Sequence, residues 1–508
     1  MRVPRPSFGA PLAAAAGGCG LPAPALAHAF AQRYDLPLPL WHYLAGAGAA
    51  VALSFLVVAR LNGPAFAARP ASALNPAGAG PRPAGYGLRL APAVARPALG
   101  AARGLGVALL VLLVAAGLLG PQGDWDANLL PVSVWILWWT GLAFCCALLG
   151  DLWRPLEPWV AVRGLRCASL SMPAASAGAA AAATATSKAR PWRRRVAALG
   201  AWPAVAGFLA FSWCELVWTA NADPRKLAVL VLAYAAVAGA GVALLGAEVW
   251  RQRFDPFAAF FALFARVAPL AWWRERDGAL RGAWRAPGAG LSVGRLPSVA
   301  QTAFVIVALS AVGFDGLAET PLWEAVVGES LAALYAAGVV QALGYEAAGT
   351  MVKTLGLLLT PLLFAAAYGL VCAWTGRLVG EAGARVARRF VLSLVPIAVG
   401  YHLAHYLSYL LIQGQAALPL LSDPLGWGWD LFGTRGREID LEVIGMRTVW
   451  FFAVLAIVVG HVCAVVVGHR TALAAYGARA TRSQLPMLAL MIGYTMSSLW
   501  ILSQPIVH

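Results

Sequence analysis

Long apolar runs, each closed by a short polar or basic stretch, recur along the whole chain. A helix needs about 17–25 residues to cross a hydrocarbon core of about 30 Å. Ten runs approach that length, near 39–59, 104–120, 131–150, 201–219, 227–249, 297–314, 353–374, 391–412, 448–468 and 484–502. The predicted fold is therefore all-α, a polytopic transmembrane helix bundle of about ten spans. Several runs are short or punctuated by Gly and Pro, which predicts tilt or burial within the bundle. Two further stretches fit no span. Residues 325–348 are rich in Ala, Gly and Val but carry Glu329 and Glu346, and read as an amphipathic or re-entrant segment on the outer side. Residues 256–276, a Phe-rich run followed by Trp272, Trp273 and Arg274, read as an interfacial helix that anchors the chain, with aromatics at the headgroup level and basic ends toward anionic lipid.

The first run is preceded by Arg2 and Arg5, a weakly apolar stretch from Leu12 to Leu21, and small residues at Ala25 and Ala27. That order fits a signal peptide over 1–27, with His28 as the mature N-terminus and 28–508 as the membrane domain. An N-terminal histidine offers its amine and imidazole together as a copper chelate, and His42 is near enough in sequence to join it. Residues 168–192, with an Ala-rich run before Lys188, are a low-complexity linker.

Composition sharpens the class. The chain is 60% hydrophobic and 12% charged, far from a water-soluble enzyme. Its formal net charge of +16 does not indicate nucleic acid as a partner, because the basic residues lie between apolar runs rather than on a soluble surface. The implied partner is the lipid bilayer. Cytoplasmic loops collect Lys and Arg, and the threading above puts 29 of them in loops 60–103, 151–200, 250–296, 375–390 and 469–482, against 7 in the alternate loops. The expected location is a bacterial inner membrane, with the mature N-terminus and the C-terminus periplasmic. The seven cysteines form no CxxC or Cys/His finger spacing and read as packing residues.

Ionisable side chains at membrane depth are costly, so each is a functional candidate. His402 and His405 lie in Tyr401-His402-Leu403-Ala404-His405-Tyr406, and His461 and His469 in the next run. A spacing of three brings two imidazoles to one helix face, which suits a shared metal. At 1.5 Å per residue, His402 lies about 16 Å and His405 about 21 Å from the cytoplasmic end of their span, with His461 about 10 Å from that end of an antiparallel neighbour. The expected ligands of a divalent metal ion are His402, His405 and His461. His469, beside Arg470, reads as an interfacial histidine. Glu215 and Asp315 approach the depth of His405 and are the expected catalytic carboxylates, as base or bridging ligand. Tyr401, Tyr406, Tyr409, Gln413 and Tyr494 are candidates to orient the imidazoles. The alternative is a metal- or haem-handling membrane protein, or a transporter, in which the same histidines bind copper, ligate haem or relay protons. Glu215 and Asp315-Gly316 also admit structural readings, as a hydrogen-bond acceptor and a turn. The sequence holds no Walker, GxSxG, HExxH, dinucleotide or CxxCH motif.

The run from Ala27-His28-Ala29-Phe30 to Leu38-Pro39-Leu40-Trp41, together with Phe314-Asp315-Gly316-Leu317 and Thr320-Pro321-Leu322-Trp323, resembles a bacterial membrane-protein family some of whose members are named fenitrothion hydrolase. Tyr401-His402-Leu403-Ala404-His405-Tyr406 and Tyr494-Thr495-Met496-Ser497-Ser498-Leu499-Trp500 extend the likeness over most of the chain. The resemblance implies hydrolysis of an organophosphate triester, a small hydrophobic substrate able to arrive from the lipid. A metal on the histidines would then activate water and polarise the phosphoryl oxygen, with Asp315 or Glu215 as base.

Overall fold

A computed structural model describes residues 35–60, 87–160, 196, 198–275, 277–291 and 296–504. The leader, His28 and the linker at 168–192 lie outside them. The described chain is an all-α bundle in which nine helices are long and apolar enough to cross a bilayer. These are α1 (Leu40–Arg60), α2 (Pro92–Leu119), α3 (Leu129–Leu149), α5 (Pro224–Leu245), α8 (Val299–Ala318), α10 (Tyr345–Val379), α11 (Gly383–Ser422), α12 (Met446–Tyr476) and α13 (Leu485–Ser503). The tenth predicted span, near 201–219, is α4 (Trp202–Leu216), a helix of 15 residues that stops short because the chain turns through Trp218–Asn221. Exposed Leu355, Leu358, Leu359, Leu362, Leu363 and Leu370 give α10 an apolar outer surface, as lipid contact requires.

Helix ends differ from the apolar runs where charge and breakers disagree. Arg96 and Arg103 depress the hydropathy of 92–103, but α2 runs through them and through Pro97, and it starts at Pro92, a residue suited to a first turn. Tyr345–Val379 likewise extends one predicted span, by about two turns before it and more than one after it. The stretch 325–348 forms α9 (Pro321–Ala336) and one short turn, Val339–Leu343, mostly exposed at the bundle end. Within α3, residues Val132–Gly141 form a π-helix. Such segments are normally single turns and cluster at functional sites.

Loop contacts sort the ends of the helices into two sets. A three-stranded antiparallel sheet, β1 (Gly87–Leu90), β3 (Leu280–Trp284) and β2 (Leu270–Arg274) in that order, joins the α1–α2 connection to the segment before α8. Arg89 pairs with Glu275 and Asp277 across it. Trp272 donates to Leu149 O at the end of α3, Arg154 meets Glu248, and Arg388 donates to Pro297 O. At the opposite end Trp135 donates to Asn221 O, Thr219 to Glu346, and Gln415 to Asp440 O. The first set, called the inner end below, joins the loops that are rich in Lys and Arg, so the helices alternate in direction as the charge count predicted.

The interfacial anchor expected at 256–276 is not what forms. After α5 the chain turns at Gly246 and folds back as α6 (Ala247–Arg253), with Trp250 packed on Gly241 where no Cβ would fit. It continues into α7 (Pro256–Ala265), of which eight residues are buried. Asp255, the N-cap of α7, accepts from the Tyr234 hydroxyl at 3.0 Å. Tyr234 lies eleven residues before the end of α5, about 16 Å up that helix. The Phe-rich segment is thus a re-entrant element inside the bundle. Its apolar face is as wide as the helix, so it seeks burial rather than an interface. Trp272 and Trp273 belong to β2 instead.

Helices α11 and α12 cross at Gly400 and Gly460. A Cβ on Gly400 would stand 2.6 Å from Ala456 O, and one on Gly460 2.7 Å from Pro396 O. This is the close backbone approach that small residues allow between membrane helices. Gly460→Ala is expected to lower stability by about 1–3 kcal/mol, the usual range for overpacking, read as a lower melting temperature in detergent. At the inner end Glu381 accepts from Arg389 at 2.8 Å and from the Tyr476 hydroxyl at 2.6 Å, fastening the α10–α11 turn to α12. Partial burial works against its charge, but these donors and Arg385 hold the carboxyl below its ordinary value of 4.5. A carboxyl lowered by folding stabilises above its unfolded value and loses that contribution as pH falls through the folded one. Glu381→Gln should therefore destabilise at pH 7, with the gap from the native protein closing as the melt is repeated below pH 4.5.

Candidate functional site

The last full turn of α8 carries Asp315 toward α11. There the His405 Nε2 stands 2.9 Å from Asp315 Oδ2, and the Tyr406 hydroxyl donates to the same oxygen at 2.5 Å. The His405 side chain is fully buried, whereas that of Asp315 keeps 14% exposure, so the carboxylate is the open edge of the pair. Ser298 and Gln301 close a capping box at the start of α8, fixing the helix whose other end presents Asp315.

Two further carboxyl groups lie near the pair. Glu215, on the last turn of α4, lies within Coulomb reach of Asp315, and Glu319 within reach of His405 and Tyr401. Glu215 is half-buried and uses its backbone carbonyl to accept from Asn221 at 2.6 Å. Tyr409 lies within reach of both Glu215 and Asp315. With a neutral imidazole the pair carries one net negative charge. One added proton on His405 makes it an ion pair of zero net charge, a large change in a medium of low dielectric.

The other histidines go elsewhere. Three residues along a helix turn the side chain through 300°, leaving His402 about 60° from His405. That offset is enough to send it to other neighbours. His402 is fully buried among Trp139, Phe144, Phe260, Phe264 and Tyr406, with ring centroids 4.6–6.1 Å away. Neither of its ring nitrogens has a hydrogen-bond partner among the described residues. His461 spends Nδ1 on Ile457 O at 2.8 Å and faces Tyr494 of α13 at 5.8 Å. His469, expected at an interface, is buried, and Gln484 donates to its Nδ1 at 2.9 Å.

The structure therefore brings together His405, Asp315 and, at longer range, Glu215. It does not bring His402, His405 and His461 into one ligand set. No group of three or more His, Cys, Asp or Glu side chains among the described residues is placed to hold a metal ion. The Asp315–His405 donors alone do not fit a three-ligand hydrolytic metal site, and the spacing that suggested one is explained by the 60° offset. His42, the sequence's second copper candidate, hydrogen-bonds to Pro39 O and stacks on Trp41.

Sequence reasoning missed three features. Glu319, the C-cap residue of α8, follows Asp315 by four residues, a spacing that brings the two to one side of the chain and was legible. Tyr406 was read as orienting an imidazole but acts on the carboxylate. The third is a second buried polar cluster in the inner half. Glu157 accepts from Arg251 at 2.5 Å, and Asp255 accepts from Tyr234 and from the Phe257 and Ala258 amides. Glu157 and Asp255 are both fully buried. The Asp255-Pro256 helix-start signature was its available signal.

Comparison with protein-family models, with curated proteins and with solved structures gives no match. The site must be interpreted from its own geometry.

Removing the carboxylate should cost more than removing the hydroxyl. Asp315→Ala strips His405 of its charged partner and is expected to cost about 3–5 kcal/mol, as for a broken buried pair. Tyr406→Phe removes one hydrogen bond to a charged acceptor, about 1.5–3 kcal/mol. The order of their melting temperatures in detergent checks the assignment, and equal melting of the two variants contradicts it.

Proposed function

We propose that this is a multi-pass bacterial inner-membrane protein, both ends periplasmic, whose Asp315–His405–Tyr406 cluster binds and releases a proton to drive movement of a small solute. The observation that carries this reading is the placement of a His–Asp pair inside the bundle near its outer end, with one edge exposed. Buried acid–histidine pairs at membrane depth are the parts from which proton relays and coupled transporters are made.

The chemistry follows from charge. With His405 neutral, the carboxylate leaves a net charge that resists enclosure in low dielectric. Protonation of the imidazole gives a pair that the bundle can enclose. Tyr406, donating to the same oxygen, keeps the negative charge on Asp315 and so leaves His405 as the group that gains and loses the proton. Glu319, within reach of His405, favours the protonated imidazole. Orientation follows the 29 to 7 excess of Lys and Arg at the inner end, which supports a cytoplasmic placement for that end.

A second reading, phosphotriester hydrolysis, is favoured by one specific observation. Asp315 orients His405 in the arrangement a general base needs, within the Phe314–Leu317 segment on which the fenitrothion hydrolase resemblance rests. On this reading His405 takes the proton from an attacking water and Tyr406 steadies the carboxylate. No metal step enters it, because the histidines do not converge.

Both readings are tested on purified protein. In pyranine-loaded proteoliposomes, proton uptake coupled to solute is expected in the native protein and is lost in His405→Gln and Asp315→Asn. Release of nitrophenol from fenitrothion, lost in the same two variants, would instead favour hydrolysis. Wild-type behaviour of both variants in both assays rejects the cluster as a functional site.

A further inference from the structure

Helix α7 separates the two buried polar clusters. Phe257 and Phe261, one turn apart, pack on Trp138 with centroids at 4.6 and 5.4 Å. Phe260 and Phe264, also one turn apart on a neighbouring face, pack on the His402 ring at 6.1 and 5.4 Å. The inner cluster of Glu157, Arg251, Asp255 and Tyr234 meets the N-terminal end of α7 through its cap. On the other side stand His402 and, within the next turn of α11, His405 and Tyr406 on Asp315. A chain of charged and polar groups is thus interrupted by one aromatic layer.

The interruption leaves a group unsatisfied. His402 is wholly enclosed, yet neither nitrogen has a partner among the described residues. A buried polar group without a protein partner carries a desolvation cost, and each such group in a native protein calls for an explanation. The helix covering it is α7. It is ten residues long, about 15 Å, and both ends are held by side chains, Asp255 at the start and Arg285, which donates to Ala265 O and Ala268 O, at the finish. The wall opposite is the π-helical segment of α3 bearing Trp138 and Trp139, a form common where helices serve function.

Building on the proton-exchange reading, we infer that α7 is the inner gate of that site: its Phe260–Phe264 face seals His402 and the Asp315–His405 pair from the inner cluster, and displacement of α7 gives His402 a water partner and joins the two clusters. His402 is then the group through which a proton passes between the inner end and His405, received from water on one side and returned to water on the other.

The test removes the seal and reads His402 directly. Diethyl pyrocarbonate acylation of His402 is quantified by peptide mass spectrometry in the native protein and in Phe264→Ala, with Phe264→Leu as the milder variant if alanine prevents a monodisperse, helical product. Passive proton leak is measured on the same preparations in pyranine-loaded proteoliposomes. The native protein is expected to protect His402. Opening should raise labelling roughly tenfold, the population change that 1.4 kcal/mol makes, and should produce a leak that disappears when Asp315→Asn is added. A folded Phe264 variant in which His402 stays as protected as in the native protein overturns the gate, whatever Asp315 does. Raised labelling with a leak that survives Asp315→Asn overturns the proton-exchange reading instead, since the cover has opened and the proton has bypassed the pair.

Discussion

A carboxylate held near membrane depth organises the outer half of this bundle. Asp315 cannot be left there alone, because an isolated charge in low dielectric is far more costly than any single packing contact can offset. It is met by two donors from one turn of α11, His405 Nε2 and the Tyr406 hydroxyl. That requirement fixes the rotation of α11 against α8. On another side α11 lies close against α12, where Gly400 and Gly460 let the two backbones meet.

The same rotation decides what His402 does. With His405 committed to α8, His402 points toward α3 and α7 and into rings rather than ligands. Spacing of three residues brings side chains to one side of a helix but not to one point. A shared metal needs the second condition. The bundle satisfies only the first, and the third imidazole, His461, answers its own backbone carbonyl and Tyr494 instead.

Much of the architecture was legible because membranes impose few options. Length and hydropathy determine spans, and loop charge determines alternation. The inner contacts, Arg89 with Glu275, Trp272 with Leu149 and Glu381 with Tyr476, join the loops that charge had grouped. The site was legible in part. Asp315, Glu215 and His405 stood out as ionisable residues in apolar surroundings, and they do cluster. What the pattern did not hold was helix phase, since a one-dimensional run carries no information about which neighbour a face will meet. Nor did it disclose α7. A Phe-rich ten-residue segment is too short to span and apolar enough for a headgroup anchor, and only the packing of Phe257, Phe260, Phe261 and Phe264 against α3 and α11 distinguishes the two outcomes.

Burial of α7 has a structural reason that bears on mechanism. Chain that enters a membrane from one end and returns to it must satisfy its backbone groups inside protein. Asp255 takes the free amides of Phe257 and Ala258, and Arg285 takes the carbonyls of Ala265 and Ala268. Backbone amides complete the C-terminal end of α7, Arg266 N–H donating to Leu263 O and Phe264 O and Ala268 N–H to Ala265 O. Its position is set by ring packing, which is short-ranged and adaptable, rather than by backbone bonds to the spans. Its Phe260–Phe264 face lies against the buried histidine whose ring nitrogens have no partner among the described residues. The features that make α7 tolerable inside the bundle are also those that a movable partition requires.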